Sequence, residues 1–285
     1  MFKKWDLFDY INAFIMLIVL IVILYPMLNI ISISFSDTYS ILQNEVTFYP
    51  KGFNLESYKI ILQDNRIPRA YANTLLYTGV GTFINVLMTA VAAYPLARKN
   101  MPGRKFFMIM IVFTMFFNGG MIPNYLLVNS LKLTNTMWAL VLPNAIWTIE
   151  LLIVKSFFES IDNSLHESAT IDGASEYRIM FQIMLPLSKA SLASIALFYF
   201  MGHWNSFFLP LIYLDDSRKY PLTIVLRDML IYDTAKENTM PDAAKMTAAS
   251  VKNATIFISM VPVMMVYPFA QKYFVKGVML GSVKG

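Results

Sequence analysis

Long apolar stretches alternate with short polar segments along the 285-residue chain. Four stretches contain no Asp, Glu, Lys or Arg and two contain only a few: residues 10–36, 70–97, 106–131 and 190–214, then 136–158 and 253–272. About 20 apolar helical residues cross a bilayer core, so the pattern predicts an all-α membrane protein with six transmembrane helices. The first stretch is too long for a signal peptide and lacks a small-residue cleavage site, which favours a retained helix.

The composition supports a membrane protein and removes several kinds of chemistry. Of all residues 57% are hydrophobic and 14% charged, and the mean hydropathy is +0.53, which excludes an ordinary soluble globular protein. The absence of cysteine excludes disulfides, thiolate metal sites and a cysteine nucleophile. The formal net charge is +5, but the basic residues lie in short segments between apolar runs. A lipid surface is therefore a better partner for them than nucleic acid.

The basic residues also indicate an orientation. Lys and Arg divide almost evenly between the two predicted sides of the membrane, but Arg98, Lys99, Arg104 and Lys105 cluster in one short loop. Short loops rich in Lys and Arg are typical of the cytoplasmic side. Because six spans place both termini on one side, we predict that the N- and C-termini are cytoplasmic.

Two predicted outer segments are long enough for structure of their own. Residues 37–69 are expected to be a loop with one short helix. In residues 215–252, Pro221 can begin a helix whose apolar positions follow a helical repeat. These positions are Leu222, Val225, Leu226, Met229 and Leu230. The segment is either an amphipathic helix at the outer interface or a satellite helix with no direct role.

The inner segment of residues 159–189, which we call the elbow, has the local chemistry of two short helices. Ser164 followed by Glu167 has the spacing of a capping box that starts the first helix. Gly173 is expected near its end, because glycine readily adopts a left-handed turn.

The second helix of the elbow is predicted to start at Ser175, which can cap it, and to be closed by Pro186. Both helices offer apolar surface at Leu165, Ala169, Ile171, Ile179, Ile183 and Leu185. A pair of short helices outside the apolar runs indicates a docking element for another protein.

The elbow resembles a known signature. Glu167, Ser168, Ala169, Gly173, Ile183, Leu185 and Pro186 match the pattern Glu-Ala-Ala-x3-Gly-x9-Ile-x-Leu-Pro, the "EAA" signature of bacterial ABC importer permeases. Ser168 in place of the middle Ala is a small-for-small departure. The resemblance extends from Ala70 to the C-terminus. Residues 117–123, 203–206 and 277–285 are similar to maltose-type oligosaccharide importers, especially those that work with sugar-binding lipoproteins in low-GC Gram-positive bacteria.

This resemblance implies a type I importer in the bacterial cell membrane. Its other parts are a second homologous permease, two cytoplasmic ATPase subunits and an extracellular solute-binding lipoprotein that delivers a sugar, with an oligosaccharide the expected kind. The elbow then contains the coupling helix. The implied ATPase-coupling residues are Glu167, Ser168, Ala169, Asp172, Gly173, Ile183, Leu185 and Pro186.

The resemblance also implies a division of the chain and of the energy source. Residues 1–69 hold the first helix and an extracellular segment, residues 70–275 the transmembrane domain, and residues 276–285 a cytoplasmic tail. The tail either reaches between the ATPase subunits or rests on anionic lipid, and by itself it is predicted to be irregular. The chain has no Gly-Lys dipeptide and so no Walker A loop, which leaves ATP to partner subunits and this chain without a cofactor.

Polar residues within the apolar runs are candidates for a translocation path. His203, Trp204 and Asn205 together could line a path for sugar, because aromatic faces and amides suit sugar rings. The alternative is hydrogen bonding between helices. That alternative also explains Asn73, Asn85 and Asn144.

Glu150 is the one carboxylate well inside a predicted span, where a charge costs roughly 2.5–3.5 kcal/mol. Lys155 lies at a poor spacing to pair with it. Glu150 therefore either lines a polar cavity or meets the partner permease, or it lies near the outer end and reaches interfacial water. If Glu150 lines a cavity, it could serve as a proton or ion site, so an ion-coupled secondary transporter is the alternative function.

Catalytic function is not supported by the sequence. His166 and His203 lie in different environments, and neither belongs to a metal-ligand or triad pattern. A membrane-bound transferase of lipid-linked sugars is a further alternative, but no acidic catalytic cluster supports it. We therefore expect a non-catalytic subunit without metal.

Overall fold

In a computed structural model of the chain, residues 6–236 and 242–282 are described and contain helices but no strand. The first half contains α1 (Leu7–Ser34), α2 (Thr38–Leu42), α3 (Glu56–Gln63), α4 (Arg66–Ala97), α5 (Arg104–Phe116), α6 (Met121–Ser130) and α7 (Trp138–Val141). The second half contains α8 (Thr148–Ser160), α9 (Asn163–Ile171), α10 (Glu176–Ile179), α11 (Leu185–Leu187), α12 (Lys189–Trp204), α13 (Phe208–Tyr213), α14 (Leu222–Lys236) and α15 (Asp242–Ser282).

Three described helices are long and apolar enough to cross a membrane: Leu7–Ser34, Arg66–Ala97 and Thr247–Pro268 within α15. Two bent pairs raise the number to at most five, α5 with α6 at 117° and Glu176–Leu187 with α12 at 81°. The all-α membrane class is confirmed, since lipid requires helices that satisfy their own backbone groups. The described helices do not confirm the count of six.

Three predicted spans are wrong as continuous helices. Residues 106–131 break after Phe116 into α5 and α6, which are bent by 117° relative to each other. Residues 136–158 form only the four-residue α7 and the 13-residue α8, which is about 20 Å long at ~1.5 Å per residue. Pro143 lies in the non-helical stretch between them, where it removes a backbone donor. Residues 190–214 break after Trp204 into α12 and α13. Apolar composition alone did not reveal these breaks.

The chain divides into two compact units, residues 1–68 with 225–262 and residues 69–224 with 263–285. In the first unit, the apolar side chains of α1 up to Tyr25 are largely exposed, as lipid contact requires. The C-terminal end of α1 is fixed by a hydrogen bond of 2.9 Å between Ser34 Oγ and the Tyr58 hydroxyl. Ser57 and Ser250 share a buried hydrogen bond of 2.6 Å.

The second unit contains the elbow and the polar residues of the apolar runs. Its main hydrophobic core draws on α4, α8, α10 and α12. Fully or nearly fully buried members include Ala93, Leu151, Val154, Ile179, Ile195 and Tyr199. This core fixes the base of the elbow against the ends of the longer helices.

The outer segments and the tail differ in part from prediction. Residues 37–69 contain two helices, α2 and α3, rather than one. α14 begins directly after Pro221 as predicted, and Leu222 is buried while Arg227 is exposed. α15 continues through Ser282, so the expectation of an irregular tail is wrong up to that residue. Residues 283–285 lie outside the described residues.

Candidate functional site

The first half of the elbow is the helix α9, and its start differs from prediction. The N-cap is Asp162, whose side chain accepts a hydrogen bond of 2.9 Å from the Ser164 backbone N–H. The predicted capping box of Ser164 with Glu167 is therefore wrong, because Ser164 already lies inside the helix. The hydrogen bond from Ser164 lowers the pKa of the Asp162 carboxyl. Glu167 instead accepts a hydrogen bond of 2.5 Å from Asn163 Nδ2.

Gly173 ends the first half of the elbow, as the sequence predicts. It has a positive φ of 76°, and its N–H donates to the Thr170 carbonyl at 3.0 Å. The Ala174 N–H donates to the Ala169 carbonyl at 2.9 Å, which completes a Schellman motif. A Cβ at Gly173 would meet no atom within 4 Å, so the backbone conformation alone requires glycine here.

The second half of the elbow runs without interruption from Glu176 to Leu187. Ser175 caps it as predicted, accepting from the Arg178 N–H at 3.4 Å. The helix ends at Leu187, one residue after Pro186, and an 81° bend into α12 follows, so Pro186 lies at its end as predicted. Met180–Met184 forms a π-helical turn just before Pro186.

The residues of the signature divide into two groups by burial. Ala169, Ile183 and Leu185 are partly buried against the main core, so they hold the elbow in place. Glu167, Ser168, Asp172, Gly173 and Pro186 are exposed. The exposed side also contains large apolar side chains, Ile171 at 86% and Tyr177 at 79% exposure. Exposed apolar and acidic groups on one short element are what a protein docking surface requires.

Glu176 ties the elbow to α4, a feature that the sequence reasoning missed. Its carboxylate accepts from the Tyr94 hydroxyl at 2.5 Å and lies 3.0 Å from His166 Nε2. Arg98 donates to the same hydroxyl at 2.8 Å. Burial alone would raise the pKa of Glu176, but the hydrogen bonds from Tyr94 and His166 outweigh it and lower that pKa. No sequence spacing connects residues so far apart along the chain.

A group of five residues, Asn85, Thr89, Trp147, Tyr199 and His203, joins α4, α8 and α12, and we call it the interior cluster. Tyr199 is fully buried, and its hydroxyl lies 2.7 Å from Thr89 Oγ1 and 2.9 Å from the Trp147 N–H. Asn85 donates to the Asn144 carbonyl at 2.9 Å, and its own oxygen lies 3.4 Å from His203 Nε2. These contacts correspond to the interhelical hydrogen bonds that the sequence left open.

Close packing around the interior cluster depends on two glycines. A Cβ at Gly202 would lie 2.2 Å from Trp147 Cη2, and one at Gly81 would lie 2.6 Å from His203 Nε2. Both glycines lie in helices, so the close approach of side chains, not backbone conformation, requires them. Small residues at helix contacts are typical of membrane bundles.

The candidate path residues do not share one surface. His203 borders a cavity of about 10 Å³, no larger than a water molecule requires. Trp204 is buried, with its ring stacked on Phe200 at 5.8 Å. Asn205 is exposed and donates to the Met201 carbonyl at 2.9 Å at the end of α12.

Glu150 lies in the first turn of α8 and is buried. A carboxylate is stabilised at this end of a helix by unpaired N–H groups and the helix dipole. Lys155 does not pair with Glu150 and instead forms an ion pair of 2.8 Å with Glu159, as the spacing of four residues favours. No cluster of potential metal ligands occurs among the described residues.

The long apolar helices define an all-α membrane protein, and comparison with known proteins gives its family. No family model matches. LplC of Bacillus subtilis is 41% identical over 99% of this chain and 97% of its own length. YtcP of the same organism, a polygalacturonan/rhamnogalacturonan transport system permease, is 38% identical over 99% and 100%. A chain in the crystal structure of a bacterial ABC transporter that imports the acidic polysaccharide alginate is 30% identical, with a TM-score of 0.87 over 96% of this chain and 100% of that one.

The chain therefore belongs to the family of ABC sugar-transport permeases. A trehalose/maltose permease of Thermococcus litoralis, 30% identical over 93% of both chains, makes the maltose type one branch among several. A second solved chain comes from an alginate transporter in complex with an alginate pentasaccharide-bound periplasmic protein. It has a TM-score of 0.54 at 16% identity over 92% of this chain and 93% of that one, and shows the fold alone.

Proposed function

We propose that this chain is one of two permease subunits of a type I ABC importer for an oligosaccharide. A solute-binding lipoprotein delivers the sugar, and two cytoplasmic ATPase subunits bind and hydrolyse ATP. One observation carries the proposal, the elbow with its signature residues divided between an anchored side and an exposed side. The exposed side, from Glu167 to Gly173, is the surface that docks in the ATPase.

The proposed orientation places the elbow and both termini in the cytoplasm. Arg104 forms an ion pair with Glu159 at the start of the elbow, so the basic loop of residues 98–105 lies beside it. Both features then occupy the side that the positive-inside rule assigns to the cytoplasm. Residues 70–275 form the transmembrane domain, and residues 276–285 extend towards the ATPase subunits.

The proposed path involves Glu150, His203, Trp204 and Asn205, and it is closed in this conformation. The cavity of about 10 Å³ beside His203 cannot hold a sugar ring, and the aromatic face of Trp204 is covered. In the proposed open state α4 and α12 separate, which exposes the interior cluster. Such alternation between closed and open states is what an importer driven by partner subunits needs.

An ion-coupled carrier is less well supported. Such a carrier needs an intramembrane carboxylate whose charge is stabilised by the transported ion. Glu150 lies in the first turn of α8, where the helix itself supplies that stabilisation. No observation on the described residues gives Glu150 an ion-binding neighbour.

The function is tested by uptake into proteoliposomes that contain both permeases and the ATPases, with the binding protein outside. The probes are oligogalacturonates, alginate oligomers and neutral arabino-oligosaccharides, because acidic polysaccharides are named for two of the relatives. We expect uptake of one class that requires both ATP and the binding protein. Glu167→Lys should abolish it, while Glu56→Lys, an equal charge change on an exposed helix start outside the elbow, should not. Uptake driven by an ion gradient without ATP would contradict the proposal.

A further inference from the structure

An open pocket with a volume of about 640 Å³ lies where the chain turns from α4 into α5 and meets α8. Four of its lining residues are basic, Lys99, Arg104, Lys105 and Lys155, and Met101 and Met108 contribute apolar surface. No carboxylate is among the lining residues of this pocket in the described part of the chain. The nearby Glu159 is shared by two of the bases, so the site keeps an excess of positive charge.

The four bases have two different states of pairing. Arg104 and Lys155 both form ion pairs with Glu159, and Arg104 also donates to the Leu96 carbonyl at 2.8 Å. Lys99 and Lys105 are exposed, and neither has an ion-pair partner within residues 6–236 and 242–282. The pocket is therefore lined by two bases held by Glu159, Arg104 and Lys155, and by two without an ion pair among the described residues, Lys99 and Lys105. This excess of positive charge suits an anion.

The start of α5 independently indicates an anion. The N-cap is Gly103, with a positive φ of 73° and no side chain to cap the helix, and no acidic residue occupies the first turn. Arg104 and Lys105 are placed there instead, against the positive end of the helix dipole. This arrangement is unfavourable by itself. The Arg104 N–H already donates to the Met101 carbonyl at 3.3 Å, so a bound anion would meet the N–H groups that follow it in the first turn and the two cations.

The surface next to the pocket indicates what the anion is attached to. Along α5 the side chains of Phe106, Ile109, Met110 and Phe113 are half or more exposed. An apolar helix face that continues from a cationic pocket fits a molecule with a charged head and hydrocarbon tails.

We propose that this pocket binds the phosphate headgroup of an anionic phospholipid, whose acyl chains lie along α5. The leaflet is the one on the elbow side, because Glu159 begins the elbow and contacts both fixed bases. Lys99 and Lys105 pair with the phosphate, while Arg104 and Lys155 hold the pocket in shape. The inference rests on membrane insertion and not on the proposed sugar.

The test is native mass spectrometry of the delipidated importer, with its partner subunits, titrated with phosphatidylglycerol or phosphatidylcholine. We expect phosphatidylglycerol to bind more tightly, and the double variant Lys99→Gln/Lys105→Gln to lose that preference. At about 1 kcal/mol per basic residue, the loss is on the order of thirtyfold in affinity. The control Lys59→Gln/Lys189→Gln removes two exposed bases elsewhere and should keep the preference.

Three outcomes would overturn the proposal. An unchanged lipid preference in the double variant would exclude the pocket as the site. Displacement of phosphatidylglycerol by a tenfold excess of inorganic phosphate would mean that the pocket takes the free anion. Loss of co-purifying ATPase with the lipid preference intact would make the pocket a protein contact. Retained ATPase and lost preference support lipid binding, whichever sugar is transported.

Discussion

The elbow and the interior cluster differ in where their functional residues find partners. In the interior cluster, Asn85, Thr89 and Tyr199 bond to groups of this same chain, and the cavity beside His203 has a volume of only about 10 Å³. In the elbow, Glu167, Ile171 and Tyr177 face outward. A membrane interior offers no water to replace a lost hydrogen bond, whereas an aqueous docking surface does.

This difference separates two roles that a transport assay alone would confuse. Changes in the interior cluster should act first on stability, because they disturb close packing and buried hydrogen bonds. Changes on the exposed side of the elbow should leave stability almost intact and act on the partner subunit. Paired measurements of melting and of coupling can therefore test the division.

The largest effect is expected at Gly202. Gly202→Ala places a methyl group 2.2 Å from Trp147 Cη2, so the Trp147 ring or the backbone of α12 must shift. Such overpacking costs about 1–3 kcal/mol, which should lower the melting temperature of the purified complex. Gly79→Ala is the matched control, because its Cβ meets nothing within 4 Å. Equal melting of the two variants would contradict the packing described for the interior cluster.

The second prediction concerns Gly173, where a side chain is strained by the backbone. Gly173→Leu should cost about 1–2 kcal/mol and also tilt the exposed side of the elbow. We expect lost ATPase association and lost ATP-dependent uptake with the fold retained.

Gly120→Leu is the control for that strain. Gly120 also has a positive φ, 87°, and a Cβ there meets nothing within 4 Å, but it lies outside the elbow. It should destabilise at least as much as Gly173→Leu, because its ψ of 172° lies in a region that essentially only glycine adopts, and still keep the ATPase bound. If both variants lose or both retain the ATPase, Gly173 has no special part in coupling.

The contrast also explains which features the sequence could predict. The turn at Gly173 and the cap at Ser175 depend on local chemistry, and both are confirmed. The start of α9 was predicted two residues late. Asp162 and Ser164 are both residue types that cap helices, and the sequence alone does not show at which of them the backbone becomes helical. Pro186 was expected to end a helix, and the helix ends one residue later, at Leu187; the π-helical turn before Pro186 was not predicted.

Long-range features could not be predicted in the same way. Tyr94 and Glu176 lie 82 residues apart, and no spacing rule links them. The breaks in residues 106–131, 136–158 and 190–214 were missed because apolar composition is the same in a continuous and in a broken helix. Because of these breaks, apolar composition alone does not give the number of membrane spans. The coupling role of the elbow and the path role of residues 203–205 stay predictions.

A smaller effect is expected at Glu176, which ties the elbow to α4. Glu176→Gln keeps the shape but removes the charge that strengthens the bonds from Tyr94 and His166. We expect faster amide exchange in α9 and α10 by roughly fivefold to tenfold, about 1 kcal/mol. Glu167→Gln is the control, because that carboxylate contacts only Asn163 in the same helix. An unchanged exchange rate in Glu176→Gln would show that the bonds from Tyr94 and His166 to Glu176 do not stabilise the elbow.

The same tie predicts a dependence on pH. The folded pKa of Glu176 is lowered from its ordinary value of 4.5, so its stabilising contribution is complete above that value. The contribution is lost as the pH falls through the lower folded pKa. Exchange in α9 and α10, corrected for the intrinsic rate, should accelerate below about pH 4. Glu176→Gln should lack that acceleration.

The smallest effect is expected at Asn205, the one exposed member of the candidate path. Its side chain bonds only to the Met201 carbonyl one turn earlier, so Asn205→Ala should cost less than about 1 kcal/mol of stability. If Asn205 contacts sugar during transport, the variant raises the KM for uptake and leaves basal ATP hydrolysis unchanged. Asn73→Ala is the contrast, because Asn73 donates to the Arg218 and Tyr220 carbonyls. That variant should lower the melting temperature more and leave the KM unchanged, whereas an unchanged KM in Asn205→Ala would take Asn205 out of the path.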